Sequence, residues 1–152
     1  MSGDLVKIAT VFNIFHDGKF IGYETKNRII KLTVEIQYLA ELLNKTFKLF
    51  YIELIHSLSI SFTTWPRHID RKPIQIDDAT QILKDELDIL DATAVDKGVE
   101  IACNQTNMEL DYSGGMLSVN AADIKVFDEN NIEITIDQLI TLAEKYWDTY
   151  YL

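Results

Sequence analysis

Apolar residues recur along this chain at two spacings, and the spacing sets the element expected at each place. Val6, Ile8, Phe12 and Ile14 keep a two-residue period, with Lys7 and Asn13 on the other parity, which predicts a strand over residues 5–15. Asp17-Gly18 supplies a turn after it and Phe20 to Tyr23 the return strand, so the chain is expected to open with a hairpin. Residues 30–38 alternate as a strand would, through Ile30, Leu32, Val34, Ile36 and Tyr38. Over a longer window Leu32, Ile36, Leu39, Leu43, Phe47 and Phe50 follow three- and four-residue spacing, and this persistence favours a helix of about five turns from near residue 30.

From Ile52 the alternation returns through Leu54, Leu58, Ile60 and Phe62, with His56 interrupting the apolar side, which predicts one half-buried strand ending at Trp65-Pro66. A connector containing Pro73 leads to a second expected helix over Asp78 to Asp91, burying Ala79, Ile82, Leu83, Leu87 and Leu90 and capped by Asp77 or Asp78. Short strands follow at 99–103, 108–112, 116–119 and, as the last member, 124–127 followed by 132–134, with turn residues at Asn104 to Asn107, Ser113-Gly114-Gly115 and Asp128 to Asn131. Thr135-Ile136-Asp137-Gln138 fits a capping box, and Leu139, Leu142, Ala143, Tyr146, Trp147 and Tyr150 make the apolar face of a final helix. No linker, repeat or shift of composition divides residues 1–152. The expected fold is therefore a single α+β domain, a mostly antiparallel sheet packed against about three helices in the order β-β-α-β-α-β-β-β-β-α.

Composition agrees with a packed core: 152 residues are 47% hydrophobic and 11% aromatic, with 6 Gly, 2 Pro and 1 Cys. The single Cys103 excludes an intrachain disulfide and a multi-cysteine zinc site. No small-residue cleavage site follows a long apolar core near the start, and Ile29 to Leu54 is broken by six charged residues, so neither a signal peptide nor a membrane span is expected. With an unpaired cysteine, these features lead to an expected cytoplasmic location.

Charge changes the picture more. Residues 1–76 hold 10 basic and 7 acidic side chains, a net of +3, whereas residues 77–152 hold 4 basic and 17 acidic, a net of -13. The whole chain stands at -10, which disfavours nucleic-acid phosphate and anionic membranes and favours a basic protein as partner. On the expected second helix Asp78, Asp85 and Asp88 project together with Asp91 one turn beyond, opposite the apolar stripe. The acids continue into Glu109 and Asp111 on the meander. Tyr112, beside Gly114 and Gly115, is the first aromatic anchor to consider, since acidity supplies steering and anchors supply affinity. Asp78, Asp85, Asp88, Asp91, Glu109, Asp111 and Tyr112 are thus the expected partner-binding set. The opposite signs of the two halves leave self-association open as well, as a head-to-tail contact.

Signals for chemistry are weak by comparison. His16, His56 and His68 form no short metal-binding pair; His16 and His68 are expected in solvent and His56 inside the sheet. Cys103 alternates with Val99 and Ile101 and reads as a small buried hydrophobe. Asp128 to Asn131 lacks the ligand spacing of an EF-hand, and Gly114-Gly115 belongs to no phosphate-binding or nucleophile motif. No catalytic residue, cofactor or metal is expected. In size, acidity and lack of catalytic signatures the chain resembles, as a class, the small antidote proteins that protect bacteria from polymorphic toxins. That resemblance implies an immunity protein that inhibits a toxin, of which a nuclease is one kind. A structural or adaptor domain of a larger assembly is the first alternative, and a small enzyme the second.

Overall fold

A computed structural model describes residues 3–57 and 59–150; Leu58 and the Tyr150 side chain, both assigned above to apolar faces, lie outside the described residues. The chain opens with a helix, α1 (Gly3–Ile14), not a strand. Leu5, Ile8, Ala9, Phe12 and Phe15 form its buried stripe at helical spacing, while Val6, one of the residues that suggested alternation, is 52% exposed. Asp17-Gly18 accordingly joins α1 to β1 (Lys19–Lys26) instead of closing a hairpin. The first hairpin is β1 with β2 (Ile29–Glu35), turning through Asn27 and Arg28 at φ 51° and 64°, the paired left-handed geometry of a tight two-residue turn.

The expected five-turn helix is absent. Strand alternation prevails over 29–35, α2 (Gln37–Ala40) makes one turn, and β3 (Leu49–Ile55) follows. Asn44 ends the helical path, because its side-chain oxygen takes the Thr46 N–H at 2.9 Å and the Thr46 hydroxyl at 2.8 Å, local bonds that compete with a helix. The long strand expected from Ile52 is two, β3 and β4 (Ser59–Pro66), divided at His56, which is exposed at φ 51° and not internal. Apolar parity is the same on both sides of that break, so periodicity could not reveal it.

After β5 (Gln75–Ile76), the expected helix over 78–91 shrinks to α3 (Ala79–Leu83), capped by Asp78 as anticipated. Leu87 begins β6 (Leu87–Val95). A bulge at Leu90 shifts the buried parity from Leu87 and Ile89 to Ala92, and this shift gives a strand the spacing of a helix. β7 (Gly98–Gln105), β8 (Tyr112–Asn120), β9 (Asp123–Phe127) and β10 (Glu133–Ile134) complete the strands. Residues 108–111 form turns and no strand. Gly114 and Gly115 sit within β8, not in a turn: a β-carbon on Gly114 would strike the Cys103 carbonyl, and one on Gly115 the Thr63 carbonyl and the Phe62 ring. The final helix, α4 (Ile136–Tyr150), starts with the expected capping box, Gln138 N–H to the Thr135 hydroxyl at 3.1 Å and Thr135 N–H to the Gln138 side chain at 2.8 Å.

Among the described residues, ten strands join one antiparallel sheet in the order β10-β9-β3-β2-β1-β6-β7-β8-β4-β5, so the fold is α+β as expected, with four helices. β3 and β4 stand six places apart in that order, about 29 Å in a flat sheet, yet the four residue steps from Ile55 to Ser59 span at most about 14 Å. The even shorter link from Asn120 to Asp123 makes the same journey from β8 to β9. The sheet must curl on itself. Its two halves join at the β1–β6 junction, where only Lys19↔Asp88 and Phe20↔Leu87 pair. α1 packs against β6, β7 and β9, strands from both halves, and α4 packs on α1 and α2. Phe12, Phe15, Phe20, Phe50 and Phe62 are the largest side chains buried between them.

Candidate functional site

The acids expected on one helix face are distributed over a cap, a turn and a strand. Asp78 accepts the Thr80 N–H at 3.0 Å and serves α3 as its N-cap. Asp85 lies in the turn between α3 and β6, half-buried, with one carboxylate oxygen accepting the Asn107 side-chain amide at 3.0 Å and the other buried without a hydrogen-bond partner. On β6, Asp88 is opposite Asn104, and Asp91 is opposite Ala102. The same register places Glu100 of β7 opposite Thr93, so Asp88, Asp91 and Glu100 share the outward face of the second half of the sheet. Lys19 reaches this face from β1, 4.0 Å from both Glu86 and Asp88.

Glu109 and Asp111 belong to the loop after β7, and both are exposed. That loop is organised by side-chain bonds to its own backbone. Gln105 accepts the Asn107 N–H at 2.7 Å, and Asn107 accepts the Glu109 N–H at 3.0 Å. Arg67, at the end of β4, clamps it from outside: its backbone N–H reaches the Asp111 carbonyl at 3.2 Å and its Nε the Leu110 carbonyl at 3.0 Å. Arg71 pairs with the Asp111 carboxylate at 3.3 Å. Tyr112 leaves the loop into β8 half-buried, its ring centroid 6.0 Å from that of Phe62 and its carbonyl taking the Gln105 amide. Burial, with the nearby Asp85 charge, pushes the Tyr112 hydroxyl above the usual tyrosine value.

Asp85, Glu109, Asp111 and Tyr112 are thus brought together around Asn107, with Asp88 and Asp91 on the adjoining strand face and Asp78 serving a different local role. Sequence reasoning missed Glu100, Arg67 and three apolar side chains of this end, Ile69, Ile74 and Met108, which are 106%, 64% and 77% exposed. The expected strand over 108–112 had hidden Met108, and an isoleucine set between His68 and Asp70 in a connector was the available signal for Ile69.

Chemistry elsewhere is sparse. Cys103 is buried, and its thiol is pushed far up by burial and by Asp88 and Asp91, which leaves it without nucleophilic character at neutral pH. An open groove of about 520 Å³ is lined by Ile30, Ser57, Ser59, Ile60, Ser61, Gln75 and Asp77. Ser57 there has a buried hydroxyl with no hydrogen-bond partner and hence no base to activate it. His16, expected in solvent, is partly covered, its ring stacked 5.4 Å from Trp147. Among the described residues no cluster of three or more His, Cys, Asp or Glu could hold a metal ion, and no helix is long and apolar enough to cross a membrane. Compared with known protein families, curated proteins and solved structures, the chain matches none.

Proposed function

We propose that the chain is a binding protein that neutralises a cognate basic protein, as an immunity protein does when it inhibits a toxin. One observation carries this reading: Asp88, Asp91 and Glu100 share an outward sheet face, flanked by Asp85 and Glu86 in one turn and by Glu109 and Asp111 in a clamped loop. Surface acids in such numbers raise the encounter rate with a cation-rich partner and weaken with salt. The clamped loop supplies preorganisation, since a loop already held by Arg67 loses little further freedom on docking. Tyr112 sits at the border of this surface as its aromatic contact.

The test is co-expression of the neighbouring open reading frame's product with and without this chain in growing cells. Growth arrest relieved only by this chain supports neutralisation; a harmless neighbour and an unchanged growth curve remove it. With the purified pair, Asp88→Lys with Asp91→Lys is expected to slow association and flatten its salt dependence while the isolated fold is retained.

A further inference from the structure

The outward face of the first half of the sheet, away from the acidic surface, carries a pattern that pairs with itself. Strand register places Glu24 of β1 opposite Lys31 of β2, Lys31 opposite Glu53 of β3, and Glu53 opposite Lys125 of β9. Signs therefore alternate across four strands as Glu-Lys-Glu-Lys. One row along the strands stand Gly22, Thr33, Tyr51 and Phe127. In the other direction Lys26 pairs with Ile29 and Ile55 with Asp123, and the β2–β3 register carried one residue further sets Ile29 beside Ile55. The row is Lys-Ile-Ile-Asp.

This face belongs to solvent. Residues of the opposite parity, Leu32, Val34, Phe50, Ile52, Leu54 and Ile124, are all buried in the core. Glu24, Lys26 and Lys125 are exposed, and an open groove of about 460 Å³ lies on the face between Glu24, Lys26, Asn27, Ile29, Lys31 and Glu53. Ile29, Ile55, Tyr51 and Phe127 are apolar side chains left half-covered on it.

We infer that this face is an isologous interface between two copies of the chain, a proposal independent of the function proposed above. A two-fold axis lying in the interface, parallel to the strands and between β2 and β3, reverses each row against itself. Glu24 of one copy then meets Lys125 of the other, and Lys31 meets Glu53. In the flanking rows Ile29 meets Ile55, Thr33 meets Tyr51 and Gly22 meets Phe127, while Lys26 comes opposite Asp123, whose carboxylate already pairs with Lys7 of α1 at 2.9 Å. Opposite charge meets opposite charge at both pairs of the central row, apolar meets apolar at the isoleucines, and glycine offers room to the Phe127 ring. The four charged residues of the central row sum to zero, so the excess acid of the chain does not oppose the contact there. Sheet faces pack in this aligned way at about 10 Å. Four strands spaced about 4.8 Å make a small face, and the dimer is expected to be weak and concentration-dependent. The arrangement replaces the head-to-tail contact of opposite halves by one that closes.

Sedimentation velocity on the full chain tests it, in a concentration series up to about 1 mM. The wild type is expected to move from 17.5 kDa toward twice that mass, and less so in high salt. Lys31→Glu or Glu53→Lys alone sets like charges against each other and should weaken dimerisation about tenfold or more. An equimolar mixture of the two single variants should restore it, because the two substituted positions then face each other across the interface with opposite charges, while the like-charged neighbours within each chain persist. Lys125→Glu, at an exposed position, provides a second disruptive variant whose fold is not at risk. A wild type at 17.5 kDa throughout, single variants that dimerise like the wild type, or a mixture that stays monomeric would overturn the proposal. So would loss of the dimer on Asp88→Lys with Asp91→Lys, which lies outside this face.

Discussion

Lys7 and Asp123 show how one ion pair fastens a helix to the sheet. The Lys7 ammonium reaches from α1 to the first residue of β9, 2.9 Å from the carboxylate. Burial alone would raise the Asp123 carboxyl, but the Lys7 hydrogen bond, the Ile124 N–H and the charges of Lys7 and Lys125 outweigh it and hold the group below the usual carboxylate range. A depressed folded value stabilises above the unfolded value, near about pH 4, and that contribution is lost as pH falls through the lowered one. Solvent screening keeps it small, since the Asp123 side chain is 41% exposed. Lys7→Met should therefore lower the urea midpoint modestly at about pH 6, with the difference from wild type closing as acid protonates Asp123. A difference that stays constant down to about pH 2 would show that lost packing, not the pair, is responsible.

Among the elements, α4 tests how much of the core depends on a single segment. It buries Leu139 and Leu142, and Tyr146 lies against Tyr38 with ring centroids 4.4 Å apart. Full burial of a large apolar side chain is worth about 1.5 to 3 kcal/mol, against a domain stability of about 5 to 15 kcal/mol. Truncation after Thr135 is expected to abolish the cooperative melt, and a retained sharp transition would place the stripe outside the core. This helix was the most legible element, because Thr135 and Gln138 mark its start and its apolar face runs without interruption. Legibility failed where local geometry disguised the period. The Leu90 bulge gave β6 a helical spacing, His56 divided a strand without changing its parity, and Asn44 ended a helix that the apolar positions alone would have continued. The acidic residues were legible as a composition but not as a surface. Their grouping depends on the β6–β7 register and on the Arg67 clamp, which join residues far apart in sequence.

At the scale of the molecule, the curled sheet has a consequence for synthesis on the ribosome. Its seams join early segments to late ones: Phe20 pairs with Leu87, Phe62 with Leu117, and Ile52 with Val126. Within the first half of the chain only the β1–β2, β2–β3 and β4–β5 pairings can form. Each long loop must lose its freedom before the pairing that rewards it, so topology of this kind folds slowly, in milliseconds to seconds. While translation continues, β3 presents an unpaired edge that β9 alone can cover, an opening to aggregation that lasts until the last quarter of the chain emerges. Nascent chains arrested before Asp123 should remain cleavable by protease through β3, and chains extended past Tyr150 should become resistant as a unit. The two tight links that let the sheet close in space thus delay its closing in time.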